Sequence, residues 1–276
     1  AFSGLAETYV LFSFYGVSPA KESMPKAKTA IDRALAIDDS LAEAHAALGK
    51  YLAFFEFDRS GSEREFRRAI ELNPNYATGY QWLGLDFLVL TRRFDEGIRE
   101  LRSAARIDPF SPVIGSDAAA GLAYAGRFDE AIEQARSTLE LEPGFSYAHS
   151  MLGYALDGKG NYAEAISEYE KAISLSEDAY TRALLIRTLM LSGRRGEAER
   201  QMAALRALAA ESYVPNFCYA IAHTAFGDKE AAVAMLEKDV EERSSYAVTI
   251  AIERALSELR GEPRFKELLK RMNLPE

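Results

Sequence analysis

The sequence predicts an all-α solenoid made of stacked helix pairs. Short segments ending in an acidic residue or Asn followed by proline recur at Pro74, Pro109 and Pro143, 35 and 34 residues apart. Apolar positions between these boundaries recur at i, i+3, i+4 and i+7, as at Ala165 and Tyr169, and no stretch alternates as a strand does. A fixed period of this length with helical periodicity is typical of helix pairs that bury their apolar faces by stacking.

The repeat frame extends in both directions from the three prolines. About seven units are predicted, over residues 1–39, 40–74, 75–109, 110–143, 144–177, 178–210 and 211–243, followed by a terminal helical pair over residues 244–276. The units at 40–74 and 75–109 each carry about one inserted residue, and residues 15–19 lengthen the turn of the first unit. The charged residues of the last helix are expected to form a solvent-facing cap.

Within a unit, each boundary has a physical reason. The first helix ends at a glycine that adopts a left-handed conformation without steric cost, at Gly126, Gly160, Gly193 and Gly227. The second helix begins with an aromatic residue, and in two units acidic residues follow in the first turn, where they favour the positive helix end. Small residues let the two helices approach closely; they are Gly49, Gly84, Gly153, Ala131 and Ala165.

Composition and charge exclude several classes of protein. The chain has 276 residues, 48% of them hydrophobic, one cysteine, and 33 Lys+Arg against 42 Asp+Glu, which leaves a net charge of −9. This charge disfavours binding to a nucleic-acid backbone or an anionic membrane. No apolar stretch approaches the ~20 residues of a membrane-spanning helix, and we expect a cytoplasmic location. Because the chain begins at Ala1 without Met, we expect it to be part of a longer protein.

The repeat resembles the tetratricopeptide repeat. The small, aromatic and proline positions of that family match Gly153, Leu156, Ala165, Tyr169 and the boundary at Pro143. The resemblance covers nearly the whole chain and implies a right-handed superhelix that binds protein segments. Residues 63–77 and 262–272 further resemble carboxy-terminal repeat regions of bacterial multidomain regulators, in which a winged-helix, nucleotide-cyclase or Ser/Thr-kinase domain precedes the repeats. The resemblance therefore suggests a regulatory module and leaves the effector domain open.

Residues capable of chemistry are scattered. His45 and His149 occupy the same position of units three repeats apart, so a shared metal is not expected. Cys218 has no CxxC partner and is expected to be a packed thiol. Residues 157–160 follow a helix and lack the spacing of a phosphate-binding loop, which favours an ordinary turn. No catalytic residue, metal or cofactor is predicted.

The arginines of the second helices in units 40–74 and 75–109 could form a basic stripe, although interleaved glutamates favour local ion pairs.

The predicted partner-binding surface is the concave groove. In the family that the chain resembles, first helices line this groove, and the matching positions are Lys50, Phe54, Gln81, Leu85, Leu88, Ser116, Tyr124, Tyr147, Tyr154 and Arg187. Some members hold a terminal carboxylate with Lys, Asn and Arg, but Gln81, Ser116 and Asp117 stand at positions of that clamp here. The aromatic side chains favour an apolar or aromatic-bearing segment, with tyrosine hydroxyls and Ser116 free to bond its backbone. Packing between helices is an equally good interpretation of several of these aromatics.

The sequence therefore predicts a non-catalytic protein-interaction module that binds a peptide or a partner domain. Another domain of the parent chain is one candidate partner. The alternative is a small-molecule sensor whose ligand changes the curvature of the solenoid. An enzyme fragment is a third and weaker hypothesis.

Overall fold

The structure, a computed structural model, describes residues 1–275, and the regular elements in that range are helices. Seven antiparallel pairs follow one another along the chain. The pairs are α1 (Phe2–Phe12) with α2 (Ala20–Ile37), α3 (Ala42–Tyr51) with α4 (Arg59–Leu72), α5 (Ala77–Trp82) with α6 (Phe94–Ile107), α7 (Pro112–Tyr124) with α8 (Phe128–Leu141), α9 (Ser146–Gly158) with α10 (Tyr162–Leu175), α11 (Ala179–Leu191) with α12 (Arg195–Leu208), and α13 (Asn216–Phe226) with α14 (Lys229–Glu241). The predicted α-solenoid is therefore confirmed.

Curvature follows from how the pairs stack. First helices of neighbouring pairs pack on each other, as α1 does on α3, α7 on α9 and α11 on α13, whereas second helices reach mainly the first helix of the next pair. Closer spacing on the side of the first helices puts that side on the inside of the curve. We call the inward-facing surface of α3, α5, α7, α9 and α11 the concave wall.

The inserted residues of the second and third pairs are accommodated as π-helix. Residues Leu52–Glu56 continue α3 and residues Leu83–Val89 continue α5, each with the wider π-helical hydrogen-bond pattern. One extra residue in a helix is absorbed in this way without breaking the helix, and such bulges often lie at functional sites. Both bulges lead into turns that differ from those of the other pairs.

Most turns between the paired helices use a glycine with positive φ, as predicted. Gly126, Gly160, Gly193 and Gly227 have φ of 76°, 82°, 77° and 83°. At the corresponding turns, two residues before α4 and α6, stand Phe57 with φ of 59° and Arg92 with φ of 62°. A side chain in this conformation is strained, so two consecutive turns carry a cost that glycine would remove.

Small residues permit the close helix contacts that the sequence predicts. A Cβ placed on Gly153 would lie 2.8 Å from the Tyr169 ring and 3.2 Å from the Ala165 carbonyl oxygen. In the third pair the contact is between backbones, because a Cβ on Gly84 would lie 2.9 Å from the carbonyl oxygen of Gly97. Ala165 is completely buried at this type of contact.

Two histidines fasten a second helix to the preceding loop in the same way. His45 Nδ1 lies 2.7 Å from Glu65 Oε2, and its Nε2 lies 2.9 Å from the Asp39 carbonyl oxygen. His149 repeats the arrangement with Glu168 at 2.6 Å and the Pro143 carbonyl oxygen at 3.0 Å. These histidines therefore hold the repeats together, and within residues 1–275 no group of three or more His, Cys, Asp or Glu could hold a metal ion.

The C-terminal segment, residues 244–275, differs from the expected pair of α-helices. Its first half forms two 3-10 helices, Ala247–Ala251 and Arg254–Leu259, and only the second half forms an α-helix, α15 (Pro263–Arg271). Val248, Leu256 and Leu259 are fully buried. The segment packs against α13 and α14 of the last pair, and it also reaches Tyr154 and Tyr180 on the concave wall. It therefore fills the inside of the curve, while Lys266 and Lys270 on α15 remain exposed as expected.

Candidate functional site

The ten residues predicted to line the groove lie on the concave wall or its π-helical continuations, but none of them is exposed. Lys50, Phe54, Gln81, Leu88, Ser116 and Tyr154 are buried, and Leu85, Tyr124, Tyr147 and Arg187 are partly buried. Two sets of contacts account for this burial. One is a polar cluster that extends along the wall from the first pair to the fourth, and the other is the C-terminal segment, which docks on the wall.

Lys50 is at the centre of the polar cluster. Its Nζ lies 2.7 Å from Asp86 Oδ2 and sits over the rings of Phe14, at 4.2 Å, and Trp82, at 4.5 Å. Phe14 belongs to the lengthened turn between α1 and α2, and it also packs edge-on against Phe54 at 4.8 Å. The aromatic rings stabilise the buried ammonium group through cation–π contact while the carboxylate neutralises it. Lys50 and Phe54 are therefore parts of a packed cluster.

The neighbouring carboxyl groups are electrostatically unusual. Gln81 Nε2 donates to Asp117 Oδ2 at 2.6 Å, and Tyr147 also donates to this carboxylate. Burial, and then the negative charge of Asp86, raise the pKa of Asp117 to about 6 against these hydrogen bonds. Burial also raises the pKa of Asp86, although Lys50 opposes this effect. Two carboxyl groups therefore lie near one ammonium group, which pairs directly with Asp86.

The C-terminal segment is held by two adjacent charged residues. Tyr180 donates to Glu253 Oε2 at 2.6 Å and Tyr154 to Glu253 Oε1 at 3.2 Å. Glu253 is completely buried, so these hydroxyls replace the water that its carboxylate would otherwise bind. Arg254 lies 2.9 Å from Asp157 Oδ2 and stacks over the Tyr154 ring at 4.9 Å.

Further contacts extend the docked segment to the early pairs. Arg92 donates to the Ala251 carbonyl oxygen at 3.0 Å, and Asn273 Nδ2 donates to the Phe57 carbonyl oxygen at 3.2 Å. Arg243, just before the segment, lies over the Phe57 ring at 4.7 Å. The two strained turns that follow the π-helices are thus among the places where the second and third pairs contact this part of the chain.

Several predicted roles look different in this geometry. Ser116 donates within its own helix to the Pro112 carbonyl oxygen at 2.8 Å, so its hydroxyl is not free for a partner backbone. The hydroxyls of Tyr124 and Tyr180 lie 3.2 Å apart. Arg187 pairs with Asp157, the carboxylate that also binds Arg254. The polar groups of Ser116, Tyr124 and Arg187 are therefore bonded to other residues of the protein itself.

Sequence reasoning missed the two residues that define the docked segment. Glu253 and Arg254 are the charged pair inside the otherwise uncharged and mostly apolar run from Ala247 to Leu256. Charged side chains within such a run need charged or hydroxyl partners once the run is buried. That composition was the available signal, but no sequence pattern indicates that the partners are Tyr154, Tyr180 and Asp157.

The other residues with chemical potential have structural surroundings. Cys218 is completely buried, and burial raises the pKa of its thiol well above the ordinary value, as expected of a packed cysteine. Arg67 binds Glu63, four residues earlier on α4, at 2.7 Å, which is the local ion pair that the sequence predicts. Arg93, just before α6, binds the same Glu63 at 2.8 Å and so links two units. No helix within residues 1–275 is both long and apolar enough to span a bilayer.

The fold and the wall define a helical-repeat protein, an α-solenoid of stacked helix pairs. Residues 146–179, which contain α9 and α10, match the tetratricopeptide repeat family model. A tetratricopeptide-repeat protein of Thermus thermophilus, TTC0263, is similar with a TM-score of 0.58 and 20% identity, over 69% of this chain and 100% of that one. Pseudomonas aeruginosa PilF is similar with a TM-score of 0.51 and 17% identity, over 98% and 99% of the two chains. At these identities the similarity establishes the fold. No curated protein matches the sequence significantly.

Proposed function

We propose that the chain is a non-catalytic protein-interaction module whose concave wall binds a peptide segment or an extended part of a partner domain. One observation carries the proposal: the wall accommodates a largely non-α-helical segment of its own chain. It does so by burying apolar side chains and by placing hydroxyl and carboxylate groups against Glu253 and Arg254. A surface with these properties can accept another segment of the same chemistry.

The preferred partner segment follows from the wall contacts. Tyr154 and Tyr180 favour a carboxylate, Asp157 favours an adjacent basic residue, and the surrounding helices favour apolar side chains. A partner first meets the partly exposed positions Leu85, Tyr124, Tyr147 and Arg187. The partner can contact the remaining predicted positions only when it replaces the intramolecular contacts that now bury them. These positions are Lys50, Phe54, Gln81, Leu88, Ser116 and Tyr154.

A competition experiment tests the binding capacity of the wall. Leu256→Asp combined with Leu259→Asp places charges at two fully buried positions and should release the C-terminal segment, because burying unpaired charge is costly. A fluorescent peptide with the sequence of residues 244–262 should then bind this full-length variant in an anisotropy titration. The unaltered chain should bind the same peptide at least tenfold more weakly because its wall is already occupied.

Two controls make the result specific. Adding Tyr154→Phe and Tyr180→Phe to the released variant removes only the hydroxyls that face Glu253 and should weaken peptide binding at least tenfold, because a hydrogen bond to a charged group contributes about 1.5–3 kcal/mol. A scrambled peptide should not bind. Circular dichroism must show that the released variant remains helical. Absence of saturable binding by a helical released variant would refute a peptide-binding wall.

We place this module in the regulatory region of a bacterial cytoplasmic signalling or transcription-regulating protein. Support comes from the resemblance of residues 63–77 and 262–272 to repeat regions of multidomain regulators, and from the net charge of −9, which disfavours direct nucleic-acid or membrane binding. Deleting the module from the full-length parent protein, and then testing by co-purification whether the protein still binds its partners, would test this role. Unchanged partner binding and regulation after the deletion would contradict it.

A further inference from the structure

The loops that join one helix pair to the next lie along one edge of the solenoid, because the pairs are antiparallel and stacked. These six loops span residues 38–41, 73–76, 108–111, 142–145, 176–178 and 209–215. They contain seven acidic residues and no Lys, Arg or His. We call these loops, with the last residue of each helix that precedes them, the acidic edge. We propose that the acidic edge binds a segment of a partner protein that carries both basic and apolar side chains.

Exposed apolar side chains accompany the acidic loops. Ile37 and Phe110 are 73% and 77% exposed, and Leu141 and Leu175 are 53% and 46% exposed. Ile37, Leu141 and Leu175 are the last residues of α2, α8 and α10, so the exposure recurs at one position of the repeat. Large apolar side chains that stay exposed in several stacked units form a surface that a partner can bury.

The negative charge of this edge is largely unpaired. Of its seven loop carboxylates, only that of Glu177 forms an ion pair within residues 1–275, with Arg182. Asp178 instead caps α11, because its carboxylate accepts from the Thr181 amide at 2.7 Å. The remaining five are Asp38, Asp39, Asp108, Glu142 and Glu211, and all five are exposed. Unpaired charges of one sign create a surface potential that attracts the opposite sign.

The opposite edge, made by the turns within the pairs, shows why a second copy of the chain does not fit. Its cations are paired with carboxylates of the second helices. These pairs are Arg93 with Glu96 at 2.7 Å, Arg127 with Glu130 at 2.6 Å and Arg194 with Glu197 at 2.6 Å. Two copies, each with a net charge of −9, also repel one another. A different, basic protein is therefore the complement that the acidic edge favours.

Helix dipoles explain only part of this pattern. An acidic side chain near a helix N-terminus is favoured by the dipole, which accounts for the loop charges one by one. It does not account for Phe110 staying exposed beside Asp108, or Leu141 beside Glu142. A proline in each of these two loops restricts the backbone, so little conformational entropy is lost when a partner binds. The two loops therefore present a carboxylate next to an apolar side chain in a fixed arrangement.

Anisotropy titration of the full chain with three labelled synthetic peptides of equal length tests the proposal. The first peptide contains only Lys and Leu, the second has Glu in place of every Lys, and the third has Ser in place of every Leu. We expect saturable binding of the Lys–Leu peptide and at least tenfold weaker binding of each of the other two. Binding of the Lys–Leu peptide should weaken as salt is added, because exposed charges are screened.

Single substitutions assign the binding to the acidic edge. Phe110→Ser and Leu141→Ser change exposed side chains and should each lower the affinity at least fivefold, because the partner no longer buries that apolar group. Leu191→Ser is the matched control, since Leu191 is about as exposed as Leu141 but ends α11 at the opposite edge. At low salt, Glu142→Gln should also weaken binding, whereas Glu133→Gln, at an exposed position within α8, should not.

Two further measurements separate this surface from the concave wall and from self-association. None of the ten groove positions lies on the acidic edge, so an excess of the unlabelled 244–262 peptide should not displace the Lys–Leu peptide. Sedimentation should show no dimer that Phe110→Ser dissociates. The proposal is overturned if the Lys–Leu peptide does not bind, if the Glu peptide binds equally well, if the 244–262 peptide displaces the Lys–Leu peptide, or if Leu191→Ser lowers the affinity as much as Leu141→Ser. A dimer lost on Phe110→Ser would overturn it as well, since the occupant would then be a second copy.

Discussion

At the residue scale, a close contact between the backbones of two helices depends on two glycines. A Cβ on Gly84 would lie 2.9 Å from the carbonyl oxygen of Gly97, and backbone at that distance cannot rotate away. We expect Gly84→Ala to lower the free energy of unfolding by about 1–3 kcal/mol through overpacking. Urea denaturation measures the change.

The matched control for this substitution is Gly196→Ala. Gly196 lies in the first turn of α12, and a Cβ there meets no atom within 4 Å. Alanine should therefore raise the free energy of unfolding by up to about 1 kcal/mol, because it loses less backbone entropy than glycine and favours helix. If both substitutions changed stability in the same direction, the assigned contact between Gly84 and Gly97 would be incorrect.

Asp239 on α14 makes stability depend on pH. It is completely buried, and burial raises the pKa of its carboxyl from 3.8 to about 7, although the Phe217 amide donates to it at 2.9 Å. The folded chain therefore holds this proton more tightly than the unfolded chain, so the contribution of Asp239 to stability falls as pH rises from about 4 to 7. Asp117, with its pKa raised to about 6, acts in the same direction.

The prediction concerns Asp239→Asn, which removes the titrating group with little change in shape. Relative to the original chain, the variant should gain stability as the pH is raised from 4 to 8. Urea midpoints measured across this range, with Asp228→Asn at an exposed position as the control, give the comparison. A constant difference between variant and original chain at all pH values would contradict a raised pKa for Asp239.

At the element scale, the docking of the C-terminal segment depends on tyrosine hydroxyls. Tyr180→Phe removes the donor that lies 2.6 Å from Glu253 Oε2 and leaves a buried carboxylate short of a partner. We expect a loss of about 1–3 kcal/mol in the free energy of unfolding.

Tyr169→Phe is the control for this effect. Its ring is also fully buried, but its hydroxyl has no hydrogen-bond partner among residues 1–275. Removing that hydroxyl should leave stability unchanged or raise it slightly, because an unpaired buried polar group is unfavourable. Equal losses for the two variants in urea denaturation would mean that the hydroxyl of Tyr180 contributes nothing specific.

The inserted residues show how a change within one helix affects contacts in the tertiary structure. One extra residue in each of the second and third units widens the end of the first helix into a π-helix. The turns that follow hold Phe57 and Arg92 in left-handed conformations, and both turns contact the C-terminal segment. The sequence indicated the insertions, but their consequence depends on a segment more than 150 positions away.

At the scale of the whole molecule, the C-terminal segment links the ends of the solenoid. An open repeat array frays from its ends because each unit contacts only its neighbours. Here Asn273 contacts Phe57, and Ser245 bonds Ser13 in the first turn. Release of the segment should therefore destabilise units that are remote from it in sequence.

Hydrogen exchange provides the measurement. In the variant carrying Leu256→Asp and Leu259→Asp, amides of α3 and α4 should exchange at least tenfold faster than in the original chain, since local opening would no longer break the contacts to the segment. Leu175→Asp, at an exposed edge position, should leave those amides unchanged. Faster exchange confined to residues 244–275 would show that the segment does not couple the ends.

The sequence by itself determined the helices, their pairing and the stacking of the pairs. These features follow from local rules: apolar periodicity, glycine at the turns, proline at the boundaries and small residues such as Gly153 and Ala165 at the contacts. Each of these signals lies within one unit or between neighbours. The positions of the concave wall were assigned from the resemblance to a repeat family, in which first helices line the groove.

Only the tertiary structure decided what those wall positions contact. Whether Tyr154 faces solvent, a partner or its own chain depends on contacts about 100 residues away in sequence, such as that with Glu253. The free energy that docks residues 244–275 comes from apolar burial and paired charges that exist only once seven pairs have curved around them. The repeat pattern specifies the curvature of the solenoid. Docking of residues 244–275 on the concave wall depends instead on contacts between residues distant in sequence, which no local pattern encodes.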